Sequence, residues 1–524
     1  MNLPRFLLPA VLLFTGLSSL QAQTQPTDIR YSISMNNPAN HYIHVEMECE
    51  NIRNNGLNVK MPAWTPGYYW LINYAKNVVN FRAKTATGKD LKWSKTNKNT
   101  WYIAAEGGKV TVSYDLYAFS QSVADAWVDT GFAYLPPAAV FMHPDGALQQ
   151  ASTVKVTPYA GWKQCYTGLN PLPGKDFTYT ASNFDELYDC PFLLGNQYST
   201  AKTINNIPHR LVLQDTAGID VPGFFSDLEK MIKSANTLMG HVPYKHYTFL
   251  IMGEGRGGLE HRNSTAVFSG GPYGKKDSDS YKRWLNFLAH EYFHLYNIKA
   301  IRPIALGPFD YDKENYTNML WVSEGFTVYY EYLILNRAGI LNRQDVYNML
   351  RSDIAAYENS PGHLFQSATA SSFDTWLQFF NHNPNTAVTT ISYYNKGCAL
   401  GLLLDLKIRH ETRNKKSLDD VMRHLYKEFY QEKQRGFKDE EFRQVCENIA
   451  GVKLDEIFDV YATTTAPIDY PKYLAYAGLE IDLTPGKAFP VVFDKTGSQK
   501  NLAIKDMDKM NELQTAINKS WVKN

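Results

Sequence analysis

The spacing of apolar residues changes period once along this chain, and that change constrains the fold more than any single motif. From about Asp28 to Gly195 the period is two. "HYIHVEMECENI" and "KVTVSYDLYAF" alternate apolar and polar side chains, the pattern of half-buried strands. Turn formers separate the runs, as in "NNGLN", "TATGKD" and "AEGGK", so the region reads as a β-sandwich. Ile43, Val45, Met47 and Cys49 fall on the buried face of the first run. "MPAWTPGYYW" (Met61 to Trp70) sets two prolines and a glycine among aromatics and reads as a packed loop or corner, with core packing of the rings favoured over a ligand-binding role. After Asn205 the period lengthens. "VPGFFSDLEKMIKSANTLMG" is helical, and "YTFLIMGEGRGGLEH" is a strand running into a glycine-rich edge. Helices dominate from Ser278: one through Leu295, then Met319 to Leu335, Asp345 to Tyr357 and Tyr393 to His410. The end of the chain is polar apart from a weak amphipathic stretch near "KMNELQTAI", and reads as a tail or small appendage.

The length, 524 residues, allows two to four domains. A net charge of +1, without blocks of like charge, gives no reason to expect nucleic acid as a partner. Arg5, the apolar run "FLLPAVLLFTGL" and small residues around Ala22 form an export signal over residues 1–22. No other segment is apolar enough to span a bilayer. The expectation is an exported protein, periplasmic or extracellular, without stable membrane insertion. Of its five cysteines, Cys49 reads as a core thiol, and Cys165 with Cys190 is the one disulfide to consider.

The helix through Leu295 contains "HEYFH", His290 to His294. Residues four apart share a helix face, so both imidazoles can point at one metal ion, and neutral imidazole suits zinc. Glu291 sits beside them, placed to take a proton from a water that the metal activates. Trp284, Phe287, Leu288 and Leu295 form an apolar stripe into which Glu291 falls. A buried carboxylate costs several kcal/mol unless it is paired or metal-bound, so a purely structural helix has no use for it. A third ligand is expected from a second helix. Glu324 in "LWVSEGFTVYY" is favoured over Glu314, whose neighbours read as loop. Glu331 reads as a residue behind the ligands or on the surface. "GRGGLEHRNS" could offer a strand edge to an extended peptide, with Glu260 either binding a free amine or simply solvated. Tyr393 or Tyr394, opening the helix "YYNKGCALGLLLD", could donate to an oxyanion or merely pack.

In order along the chain, "PAWTPGYY", "GGLEHRNS", "HEYFHLYNIKAIRP", "LWVSEGFTVYY" and "YYNKGCALGLLLD" resemble the glycyl aminopeptidase family of zinc metallopeptidases, a branch of the thermolysin-like gluzincins. The resemblance implies one zinc per chain held by His290, His294 and Glu324, with Glu291 as general base and acid. By similarity to the neighbouring alanyl-type aminopeptidases, Tyr394 would steady the oxyanion. Glu260 would bind the substrate's amino terminus beside Gly257 and Gly258. His261 stands where that group has asparagine. Asn297, Lys299, Arg302 and Pro303 match the family run after the zinc helix. Family members commonly carry a PDZ-like domain after "YAGLEI", for which the remaining residues are too few.

The implied fold is multi-domain α+β. A signal peptide (1–22) precedes an N-terminal β-sandwich (23–200), a thermolysin-like α/β catalytic domain (201–340), a C-terminal helical domain (341–475) and an appendage (476–524). The implied activity is removal of small N-terminal residues, glycine or alanine, from peptides. A zinc endopeptidase of the same fold and a non-catalytic exported peptide-binding protein are the alternatives.

Overall fold

A computed structural model describes residues 27–52, 56–268, 275–482 and 502–524. The expected export signal lies outside the described residues. The chain forms a multi-domain α+β structure with β-rich N-terminal and helical C-terminal regions.

The N-terminal region contains a seven-stranded sheet and two four-stranded sheets. Tyr42–Ile52 lies inside the seven-stranded sheet, antiparallel to Thr27–Ser34 on one side and Gly108–Tyr117 on the other. Its alternation sends Ile43, Val45, Met47 and Cys49 into a shared core with Tyr31, Tyr114 and Phe141. All five cysteines are free thiols, so the considered Cys165–Cys190 pair does not form. Register explains this: Cys165 faces Leu194 across the ladder, four residues along from Cys190.

The next unit is a five-stranded sheet in the order Tyr198–Ile204, Ile207–Leu213, Tyr247–Met252, Ser264–Phe268, Gly258–Glu260. Every residue of Tyr247–Met252 is buried, as suits a strand with parallel neighbours on both sides. Gly258–Glu260 is the antiparallel edge strand. The helix Val221–Met239 starts where the Asp220 carboxylate accepts from Gly223 N–H, and stops at Gly240 in the left-handed region. Its Phe225, Leu228 and Met231 enter one core with Phe249, Leu285 and Leu288.

The helix Asp279–Phe293 is capped by Ser278, whose hydroxyl accepts from Tyr281 N–H. The expected Met319–Leu335 helix is two pieces, Leu320–Ser323 and Gly325–Arg337, which meet at Glu324. Tyr393–Glu411 crosses the second piece where Gly325 meets Gly397. A side chain on either would collide with the other's backbone or with the Trp321 carbonyl, so the glycines permit the crossing.

The end of the chain is not a free tail. Leu479–Asp482 pairs with Ala503–Asp506, and the helix Glu512–Trp521 docks on the long helices. Trp521 Nε1 donates to Tyr329 Oη at 2.6 Å, Tyr329 donates to Asp405 at 2.7 Å, and Arg343 donates to the Val522 carbonyl at 2.7 Å. Ile517, Trp521 and Val522 are buried. These few apolar contacts and the hydrogen bonds around them hold a segment that is otherwise polar.

Candidate metal centre

On the Asp279–Phe293 helix, His290 and Glu291 are buried together, and His294 caps its end. The two imidazole Nε2 atoms approach to 2.9 Å. Glu324 Oε2 lies 3.1 Å from His294 Nε2 and 3.6 Å from His290 Nε2. Among the described residues, these three are the one group of three or more His, Cys, Asp or Glu side chains able to hold an ion, with ligand atoms within 4.8 Å of one another. Glu314 stays outside it, half-exposed in the loop before the Leu320 helix.

The outer ring nitrogens test whether an ion belongs there. His290 Nδ1 faces Glu331 Oε2 at 2.8 Å, and His294 Nδ1 faces the Asn297 carbonyl at 2.9 Å. The Asn297 carbonyl accepts, as does Glu331 when ionised, so each Nδ1 then carries a proton. In neutral rings that turns two Nε2 lone pairs towards each other and towards a carboxylate. Three acceptor atoms that converge on one point, with no donor between them, call for a cation. Two imidazoles and one carboxylate, with hydrogen-bonded outer nitrogens, suit zinc.

Asn297 joins the two halves of this cluster. Its Nδ2 donates to the carbonyls of Val322 and Ser323 at 2.9 and 3.0 Å, fixing the chain after the zinc helix against the turn that presents Glu324. Tyr69, from the N-terminal corner, is buried and donates to Glu324 Oε1 at 3.4 Å. The sequence favours core packing for the rings of this corner and does not single out Tyr69.

Burial disfavours charge on every group here, and their partners decide the outcome. Burial pushes Glu291 up to about 7, with the nearby imidazoles only partly offsetting it. Glu331 rises to about 7 for the same reason, although His290 opposes it. Burial would also raise Glu324, but the charge of His294 and hydrogen bonds from both rings outweigh it and hold the carboxyl at about 2. The histidines, which burial alone would lower, are raised by their carboxylates. A metal must therefore displace protons to bind, and its affinity falls as the pH falls.

The edge strand runs past this cluster. A side chain at Gly258 would overlap the Glu291 carboxylate, so glycine there brings the strand's backbone up to Glu291. Gly257 adopts φ +91°. Glu260 is buried, where a side chain on Gly67 would lie 2.6 Å from its Oε1. Lys299 Nζ stands 3.8 Å from Glu260 Oε1 and 2.9 Å from Asp189 Oδ1. His261 is buried with Nδ1 turned to Asp189 at 3.3 Å. Asp189 and Lys299 were not singled out as a pair in the sequence; only the run after the zinc helix hinted at Lys299.

Tyr394 is half-buried with its ring centroid 6.0 Å from that of His290, packed against Phe379. The Tyr393 hydroxyl is engaged elsewhere, accepting from Thr375 at 3.1 Å.

Residues 30–196 match the Peptidase M61 N-terminal domain, and residues 283–400 match the M61 glycyl aminopeptidase domain. A search of curated proteins finds no match. Among solved structures, an aminopeptidase N family protein from Idiomarina loihiensis superposes with a TM-score of 0.83 at 28% identity, covering 90% of this chain and 82% of its own. An M1 zinc metallopeptidase from Deinococcus radiodurans, bound to a Tyr-Ser-Ala substrate, shares the fold at 13% identity with a TM-score of 0.54, covering 85% of this chain and 95% of its own. Native yeast LTA4 hydrolase also shares it, at 14% identity and a TM-score of 0.52, over 86% of this chain and 70% of its own. The two family matches take in both the β-rich region and the metal cluster, and on them the chain belongs to the M61 glycyl aminopeptidase family and is a zinc aminopeptidase.

Proposed function

We propose that the protein is an exported aminopeptidase that removes small N-terminal residues such as glycine or alanine from peptides, using one zinc ion per chain. The observation that carries this reading is the convergence of His290 Nε2, His294 Nε2 and Glu324 Oε2 beside Glu291 and next to an open strand edge. Zinc held by those three residues would polarise the scissile carbonyl and acidify the attacking water. Glu291, raised to about 7 by burial, takes the water's proton and delivers it to the leaving amine. Tyr394 donates to the oxyanion as it forms. Backbone groups of Gly258 and Glu260 hold the peptide as an added strand, and the Glu260 carboxylate receives its α-ammonium. The small side-chain preference rests on the family, and export rests on residues 1–22.

Zinc content and turnover of Gly- and Ala-aminoacyl reporters, wild type beside Glu291→Gln, test the reading. One zinc in each protein with turnover only in the wild type is expected. Equal cleavage of a peptide and its N-acetylated form would remove Glu260 from the amine-binding role.

A further inference from the structure

The open edge beside the zinc helix is shorter than its sequence suggests. Phe268 N–H donates to the Gly257 carbonyl at 3.0 Å, and His261 N–H donates to the Ser264 carbonyl at 2.9 Å. Residues 257, 259 and 261 therefore face the neighbouring strand, and the backbone groups of Gly258 and Glu260 face outward. Arg256 continues on the outward side, but the N-terminal domain already occupies it. Arg256 N–H donates to the Gln121 carbonyl at 3.2 Å, and its carbonyl accepts from Val123 N–H at 3.2 Å. A peptide antiparallel to this edge, with its amino terminus at Glu260, runs towards Arg256. The Glu291 carboxylate lies against Gly258, which sets the scissile bond between positions 259 and 258. At one peptide residue per strand residue, the third residue beyond that bond arrives level with Arg256. There the edge is blocked and the peptide must turn outward.

A concave space of about 430 Å³ lies at that point, lined by Tyr68, Trp70, Phe119, Asp125 and Arg256 among others. Its aromatic walls are exposed yet held in place. Trp70 is 37% exposed and stacks on Phe380 at 5.7 Å, and Phe380 stacks in turn on Tyr68 at 4.6 Å. Phe119 is 44% exposed and stacks on Trp127 at 4.3 Å. The rings share the concavity with Lys76, Asp125 and Arg256, so the space is mixed rather than apolar, and what it offers a side chain is stacked aromatic faces that lose little freedom on binding. We propose, resting on the aminopeptidase reading, that this pocket is a subsite for the third residue beyond the cleaved bond. The preferred substrates are then peptides of four or more residues with an aromatic or bulky apolar side chain at the fourth position.

The test uses the full-length, zinc-loaded Glu291→Gln protein, which separates binding from turnover. Calorimetry compares Ala-Ala-Ala-Phe amide with Ala-Ala-Ala-Ser amide, each with a free and an acetylated amino terminus. The Phe peptide is expected to bind about tenfold more tightly than the Ser peptide. Adding Phe119→Ala, or Trp70→Ala, another ring of the lining, should the first fail to fold, brings that ratio close to one. Equal affinities in the Glu291→Gln parent, or a ratio that survives in the wall variants, overturn the subsite. If acetylation changes nothing while the Phe preference stands, the role of Glu260 falls and the subsite survives. In the active enzyme, the same preference is expected in kcat/KM.

Discussion

Two buried polar clusters lie side by side in this protein, and they balance charge in opposite ways. Around His290, His294 and Glu324 the chain supplies acceptors and leaves the cation to come from outside. Around Asp189 it supplies the cation itself: Lys299 Nζ lies 2.9 Å from that carboxylate and stands further, 3.8 Å, from Glu260. The first cluster is complete only with its metal, whereas the Asp189–Lys299 pair is complete on folding. The contrast separates what the site uses for chemistry from what holds two domains together, since Asp189 comes from the β-rich region and Lys299 from the chain after the zinc helix.

The widest separation is expected from His294→Ala and Asp189→Asn. His294→Ala removes a ligand and should abolish zinc binding and activity, at least about a thousandfold, with metal analysis as the check. Asp189→Asn should keep its zinc but lose about 3 kcal/mol of stability at neutral pH, because Lys299 is left buried without its partner. Its pH dependence has a definite sign. Burial would raise the Asp189 carboxyl, but Lys299 and His261 hold it well below the ordinary range. The stabilisation is therefore fully present above about pH 4 and disappears as the pH falls through the folded value. Denaturant unfolding of wild type and variant should converge on acidification. A gap that persists at low pH would mean that packing, not charge, is what Asp189 provides.

Smaller effects sharpen the contrast. Glu331→Gln leaves the ligand set intact but weakens the acceptor behind His290, so zinc affinity or activity should drop by about ten- to a hundredfold. Competition with a chelator measures it. Tyr69→Phe loses one long hydrogen bond to Glu324, worth about 1 kcal/mol, and should slow turnover several-fold at most. A larger loss would place Tyr69 nearer the chemistry than its 3.4 Å contact suggests.

The two clusters also differed in how far the sequence revealed them. His290, Glu291 and His294 are one helical turn, and helical spacing alone puts them together. Glu324 stood out as a costly carboxylate on an apolar helix. The second cluster joins positions 189, 260 and 299 from a turn, an edge strand and a loop, which no local period relates. Tyr69 was hidden for the same reason. An aromatic in a Pro-Gly corner reads as packing, and only the docking of that corner on Glu324 gives its hydroxyl a use. The C-terminal helix showed in the sequence only as a weak amphipathic stretch, because few apolar residues, Ile517, Trp521 and Val522, are buried and much of its attachment is polar, as from Arg343 to Asn518 and Val522. The β-sandwich, by contrast, was visible in period-two runs whose buried face is nearly unbroken, as in Tyr42–Ile52.

The crossing of Gly325 and Gly397 ties together two side chains beside the candidate metal centre. Glu324 precedes one glycine directly, and Tyr394 precedes the other by three residues, so backbones in direct contact carry them both. Neither can shift as a loop would. Amides along the two crossing helices should therefore exchange with deuterium as one block, only in the rarest openings of the protein, with or without zinc.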